Sequence, residues 1–205
     1  MLVSMVDYKE IVDDVVNQLE NYDLDREAVI KLTRRLNRAA GRGISKIVRE
    51  ESYEKYLNDC REIILEIEEI METLAPVISW NTTISGTEEY CELEILHAVV
   101  NENPLPSPEV LHTPSWIWIT ALGDVVGELR RYMLSKIIQN DLEEAKIILT
   151  KIQDIYDTIV GLEFPKSLVS GLRHKIDVAR TLVDRCESDF ATAVIHKQTK
   201  TTKSE

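Results

Sequence analysis

Apolar residues return at steps of three and four along most of this chain, with polar residues filling the positions between. That spacing lines the apolar side chains along one face of a helix, whereas a half-buried strand would alternate every second residue. Ile11, Val12, Val15, Val16 and Leu19 predict a first helix over about Val6 to Asn21. Asp23 is placed to cap a second, running from near Leu24 toward Arg49 with Gly41 and Gly43 weakening its middle. A third runs from about Ser52 to Leu74 and stops before Pro76, because the residue ahead of a proline disfavours helical backbone. Asn81 to Gly86 reads as loop, and Thr87 as the cap of a fourth helix over about Glu88 to Val100. The Pro-rich stretch NPLPSPEVLHTP is an extended connection. Ser115 opens a fifth helix to about Ile138, and Asn140-Asp141 ends it and caps a sixth, about Leu142 to Val160. Pro165 suits the first turn of a seventh, ending near Val194. No strand signal appears. The pattern therefore predicts an all-α bundle of about seven helices, with residues 1–195 as one domain and 196–205 as a polar, disordered tail.

Composition agrees with that picture. The chain has 205 residues, 44% of them hydrophobic, which is enough for one real core. Of its six prolines, four fall between 104 and 114, so the rest of the chain has few breakers. No run of 18 apolar residues is present, so no membrane span is expected, and MLVSMVDYKE carries no signal-peptide pattern. Cys60, Cys91 and Cys186 are sparse, odd in number and without metal spacing, which suits a reducing, cytoplasmic setting. The net charge of −12 argues against nucleic acid if it is spread evenly.

It is not spread evenly. From Lys31 to Arg49 the charged residues are Lys31, Arg34, Arg35, Arg38, Arg42, Lys46 and Arg49, with no acid among them. All but Arg34 follow steps of three and four and form one stripe. Such a stripe can track a nucleic-acid backbone. It can equally be a basic face neutralised by the acidic remainder of the protein or by a partner subunit.

The fifth predicted helix is almost wholly apolar from Trp116 to Leu129, except for Asp124 and Glu128. These acids lie four apart and share a face with Ile117 and Ala121, so both should point inward. Buried like charges need a counter-cation or a proton. Gly123 and Gly127 each precede an acid, and close approach of another helix or of a ligand would account for them. Ion pairs with a neighbouring helix explain Asp124 and Glu128 as well as a metal does. Glu89 and Glu92 share a face of the fourth helix, where acids are also favoured simply by the helix dipole. Together, two facing helices would offer four carboxylates, an all-oxygen donor set suited to Mg2+ or Mn2+ and to phosphodiester hydrolysis.

Other signals are weaker. Glu94-x-x-His97 is a single copy of a di-iron motif that needs two. Glu89-x-x-Glu92 fits half of the pattern of helical nucleotide pyrophosphohydrolases, but Asp124 and Glu128 have the wrong order and spacing for the other half. Cys91, between acids, is a poor nucleophile. Trp80, Trp116 and Trp118 can stack bases or serve as core and interface anchors.

Glu89-Tyr90-Cys91-Glu92-Leu93 resembles the Glu-Tyr-Val-Glu-Ala motif of the factor X branch of the translin family. Asp124-Val-Val-Gly127-Glu128-Leu129 is similar to its Asp-Leu-Thr-Gly-Glu-Leu motif, and Leu172-Arg173-His174-Lys175-Ile176-Asp177-Val178 to its last helix. The resemblance spans about residues 24 to 190 and departs at Cys91 and in the short Pro-rich connection. It implies a seven-helix fold assembling into a multi-subunit barrel, as a homo-oligomer or with a translin-type partner. It also implies Mg2+-dependent endoribonuclease activity on single-stranded RNA, with single-stranded DNA as a second ligand. Glu89, Glu92, Asp124 and Glu128 would be the catalytic and metal-holding residues. A non-catalytic RNA- or DNA-binding scaffold of the same fold, and a nucleotide pyrophosphohydrolase, are the alternatives.

Overall fold

The computed structural model describes residues 8–74 and 79–202, with side chains through 199. It contains six α-helices: α1 (Tyr8–Val48), α2 (Glu54–Leu74), α3 (Ile84–Val100), α4 (Ser115–Ile138), α5 (Leu142–Ile159) and α6 (Leu172–Thr202), plus a 3-10 turn at Trp80–Thr82. Among the described residues there is no strand. The expected end of α2 before Pro76, the start of the first helix before Tyr8 and the last tail residues lie outside the described residues.

The first two predicted helices are one. Asp23 does not cap a new helix, because no glycine or proline breaks the chain there and the backbone simply continues. Gln18 donates to Tyr22 Oη at 2.7 Å and Arg26 pairs with Asp23 at 3.6 Å, both one turn apart across the supposed break. Burial along α1 begins only at Val29. The apolar stripe of its first half, Ile11, Val12, Val15, Val16 and Leu19, is 45–58% exposed.

Two other boundaries moved. Helix α3 starts at Ile84, and Thr87, read as a cap, is buried inside it. Pro165 opens only a short turn, with Leu168 and Val169 donating back to its carbonyl at 2.9 and 3.1 Å. Gly171, at φ +85°, then redirects the chain before α6, a left-handed conformation that side-chain-bearing residues resist. Helix α6 runs on to Thr202, so the segment expected to be a disordered tail is helical over 196–202. It holds no breaker, and Thr199 Oγ1 bonds back to the His196 carbonyl at 3.0 Å. Asp141 does cap α5, accepting from the Glu144 amide at 3.2 Å.

Helix α1 packs on α2 and α3, α4 packs on α3, α5 and α6, and α5 packs on α6. Helices α3 and α4 are thus the two central elements, which explains why their sequences are apolar nearly all round. Buried Leu93, Ile95 and Leu96 of α3 and Ile117, Val125, Leu129 and Met133 of α4 belong to the same core. A close approach joins α1 to α3: a Cβ on Gly86 would stand 2.6 Å from the Thr33 carbonyl oxygen. Asn37 donates to the Ser85 carbonyl at 2.9 Å along the same contact. Arg61, itself half-exposed, grips the buried Glu94 with two bonds of 2.6 and 2.8 Å.

Because backbone stands in the way at Gly86, Gly86→Ala should lower stability by about 1–3 kcal/mol in urea unfolding, despite alanine's better helix propensity. A variant as stable as the parent would mean that α1 and α3 are not held this tightly.

Candidate functional site

The site forms where α3, α4 and α6 meet. Helix α3 contributes Glu88, Glu89 and Glu92, α4 contributes Asp124 and Glu128, and α6 contributes Lys175. Asp124 and Glu128 lie on the inward face of α4, as their spacing required, and stop short of full burial, with side chains 33% and 21% exposed. Glu89 and Glu92 are half-buried on α3. All four acids expected from the sequence are therefore brought into one cluster.

The electrostatics show how close the cluster is. Burial pushes the Glu92 carboxyl up to about 9, and the charges of Asp124 and Glu89 push the same way against the opposing pull of Lys175. Glu89 is raised by burial, then by Glu128 and Asp124. Asp124 is raised by burial in spite of its bond to Lys175. Burial is the leading cause of all three shifts, and at Glu89 and Glu92 the neighbouring carboxylates add to it. Such shifts cluster at functional sites.

Three residues at the site were missed by the sequence: Lys175, Thr120 and Glu88. Lys175 donates to Glu88 at 2.9 Å and also bonds Asp124, with only 17% of its side chain exposed. Thr120 donates to the same Glu88 oxygen at 2.6 Å. Glu88 could have been suspected, since it lies one helical turn before Glu92. Lys175 could not, because its place depends on how α6 packs. Gly123 sets that packing: a Cβ there would meet Lys175 Cβ at 3.1 Å. The glycine beside Asp124 thus serves a helix approach, one of the two reasons its presence suggested.

The donor chemistry fits a hard divalent cation: several carboxylates, partly desolvated, with one lysine among them. The side chains do not form a finished cage. Asp124 is held by Lys175 and Glu128 by Arg131 at 2.6 Å, and among the described residues no three acid, cysteine or histidine side chains stand grouped as metal ligands.

The other candidate chemistry falls away. Glu94 is committed to Arg61, and His97 meets Tyr53 Oη at 3.1 Å, so Glu94-x-x-His97 is structural. Cys91 is buried, with its thiol pushed up to about 12, which suits a core residue and not a nucleophile.

The basic stripe runs along α1. Lys31, Arg34, Arg35, Arg38, Arg42 and Arg49 are exposed and Lys46 is half-buried. Lys31 pairs with Glu27 at 3.3 Å and Lys46 with Glu51. Among the described residues, Arg34, Arg35, Arg38 and Arg42 form no ion pair. Arg35, Arg38 and Arg42 line a cleft of about 350 Å3 whose α2 side carries Lys55, Asp59, Glu62 and Glu66. Gly41 links this helix to the acids, since a Cβ there would stand 3.1 Å from Glu89 Oε1. Arg34 and Arg38 precede Gly41 by seven and three residues, so they share its side of α1.

The chain resembles known proteins over nearly its whole length. It is 26% identical over 183 residues to an uncharacterized protein of Methanocaldococcus jannaschii, covering 88% of this chain and 81% of that protein. A solved structure of AfC3PO in complex with duplex RNA superposes with a TM-score of 0.83 at 27% identity, covering 91% of this chain and 98% of that one. A crystal structure of AfC3PO gives a TM-score of 0.79 at 26% identity, covering 91% of this chain and 98% of that one. Apo-NeC3PO, at 20% identity, shares the fold with a TM-score of 0.80 over 93% and 99% of the two chains. The Translin family model matches residues 7–196, and the chain belongs to that family.

Proposed function

We propose that this protein is a metal-dependent endoribonuclease that cleaves single-stranded RNA by hydrolysis of a phosphodiester bond. The observation that carries the reading is the cluster of Glu89, Glu92, Asp124 and Glu128: burial raises the pKa of Glu89, Glu92 and Asp124, and repulsion from neighbouring acids adds to it at Glu89 and Glu92. Lys175 and Arg131 neutralise only part of the cluster, and a bound cation would neutralise the rest. Mg2+ or Mn2+, once bound, would supply electrophilic pull on the phosphate and a lowered water pKa.

The chain's own residues have distinct parts to play. Glu89, Glu92, Asp124 and Glu128 would hold the cation. Whichever carboxylate remains free of it would accept the proton of the attacking water. Lys175 fixes Asp124 and Glu88, and so sets the distance between α3 and α4 at the reacting bond. The unpaired arginines of α1, with Lys31, Lys46 and Arg49, would hold the RNA backbone without reading its sequence. AfC3PO, solved with duplex RNA, supports an RNA backbone as the ligand. The half-exposed apolar stripe of α1 supports assembly with further copies or with a translin-type partner, in line with a multi-subunit barrel.

Cleavage of labelled single-stranded and duplex RNA, with Mg2+ and with EDTA, tests the activity. Glu128→Gln should lower cleavage about 100-fold or more while leaving RNA affinity nearly unchanged. Cleavage that survives EDTA, or RNA bound but left intact in every divalent metal, would sink the proposal.

Stability offers an independent check. Glu92 keeps its proton in the folded protein from about pH 4.5, where the unfolded chain loses it, up to about 9. Stability in EDTA should therefore fall as pH rises through that window. Glu92→Gln should melt higher than the parent at pH 8, by about 2–4 °C for each kcal/mol recovered, and equally at pH 4. Mg2+ should raise the parent's melting temperature more than the variant's. A parent whose stability is flat across that window would contradict this account of Glu92.

A further inference from the structure

The carboxylate cluster borders a second feature. A cleft of about 740 Å3 is lined by Trp80 of the 3-10 turn, Trp116 of the first turn of α4, and Lys166 and Ser170 of the segment before α6. Glu88 and Lys175 belong to the same lining, and Lys175 is the residue that bonds Asp124. The cleft therefore opens onto Glu88 and Lys175, and through Lys175 it borders Asp124. Its size lies within the roughly 300–1,000 Å3 of small-ligand pockets.

The two tryptophans are partly buried against the core and half-open to this space, whereas Trp118 is occupied elsewhere, its Nε1 donating to the Pro106 carbonyl at 3.0 Å. Core anchoring alone would not leave two indoles beside a lysine-bearing cleft. Indole faces stack on any base, and lysine ammonium groups pair with phosphate. The approach geometry matters as well. Gly41 of the basic helix lies against Glu89, while the cleft is lined by Glu88, the adjacent residue of α3.

We propose that this cleft is a nucleotide subsite, holding one nucleotide of the RNA strand next to the bond presented to the carboxylates. The base stacks on Trp80 or Trp116, and Lys166 faces its phosphate, while Lys175 stays bonded to Glu88 and Asp124 at the border with the acids. The proposal rests on the endoribonuclease reading for the identity of the strand. It predicts tolerance of all bases at that position, since stacking does not read their edges.

The test is photo-cross-linking of single-stranded RNA carrying 5-iodouridine to the wild-type protein in EDTA, with cross-linked peptides identified by mass spectrometry. Cross-links on Trp80 or Trp116, and not on Trp118, are expected. In parallel, Trp116→Ala should weaken binding of the same RNA about tenfold, with Trp116→Phe restoring most of it. Cross-links confined to α1, or elsewhere away from the cleft, would overturn the subsite even if Trp116→Ala proves unstable. Because binding is read without metal, a protein that cross-links at the cleft but never cleaves would end the nuclease reading alone. One that cleaves with no cross-link at either tryptophan would end the subsite alone.

Discussion

Like charges forced together between two central helices are the constraint on which this molecule turns. Helices α3 and α4 are covered on most sides by other helices, so the side chains between them have little water to share. Five acids nevertheless sit at that junction, with Lys175 bonded to two of them and Arg131 to a third. Elsewhere the fold treats a buried acid differently: Glu94, almost fully enclosed, is satisfied by a two-bond grip from Arg61. The contrast is one of available partners. One acid has its partner, and the cluster is left short of partners.

The helices can crowd there because small residues let them. Gly86 brings α3 against the Thr33 carbonyl of α1, Gly41 gives Glu89 room, and Gly123 brings the Lys175 stem against α4. Larger residues at these places would move the helices apart, and the charge coupling would weaken with distance. Helix packing and site electrostatics are one arrangement seen at two scales. The same arrangement puts Gly41 of the basic helix against Glu89 and a tryptophan-lined cleft against Glu88.

The length of α1 adds another feature. Its second half is a core element, while its first half carries an apolar stripe that stays half-exposed. In the sequence both halves have the same amphipathic pattern. Periodicity reports which face of a helix is apolar and says nothing of whether a neighbour is present to cover it.

Much was legible in the chain itself. Helical periodicity gave the all-α class and most element positions, and the Asp141 cap was readable because it is local chemistry. Asp124 and Glu128 could be picked out because a charge in an apolar helix is conspicuous wherever that helix packs. Boundaries failed where a polar break was read without a breaker, as at Asp23 and beyond Val194. Lys175, the role of Gly123 and the cleft that Trp80 shares with Trp116 lay beyond reach, since each depends on residues at least 36 positions apart meeting in space. Spacing along one helix fixes which side chains share a face. Only the packing of one helix on another decides which faces meet, and that is where this protein's charge, its counter-ion and its cleft are set.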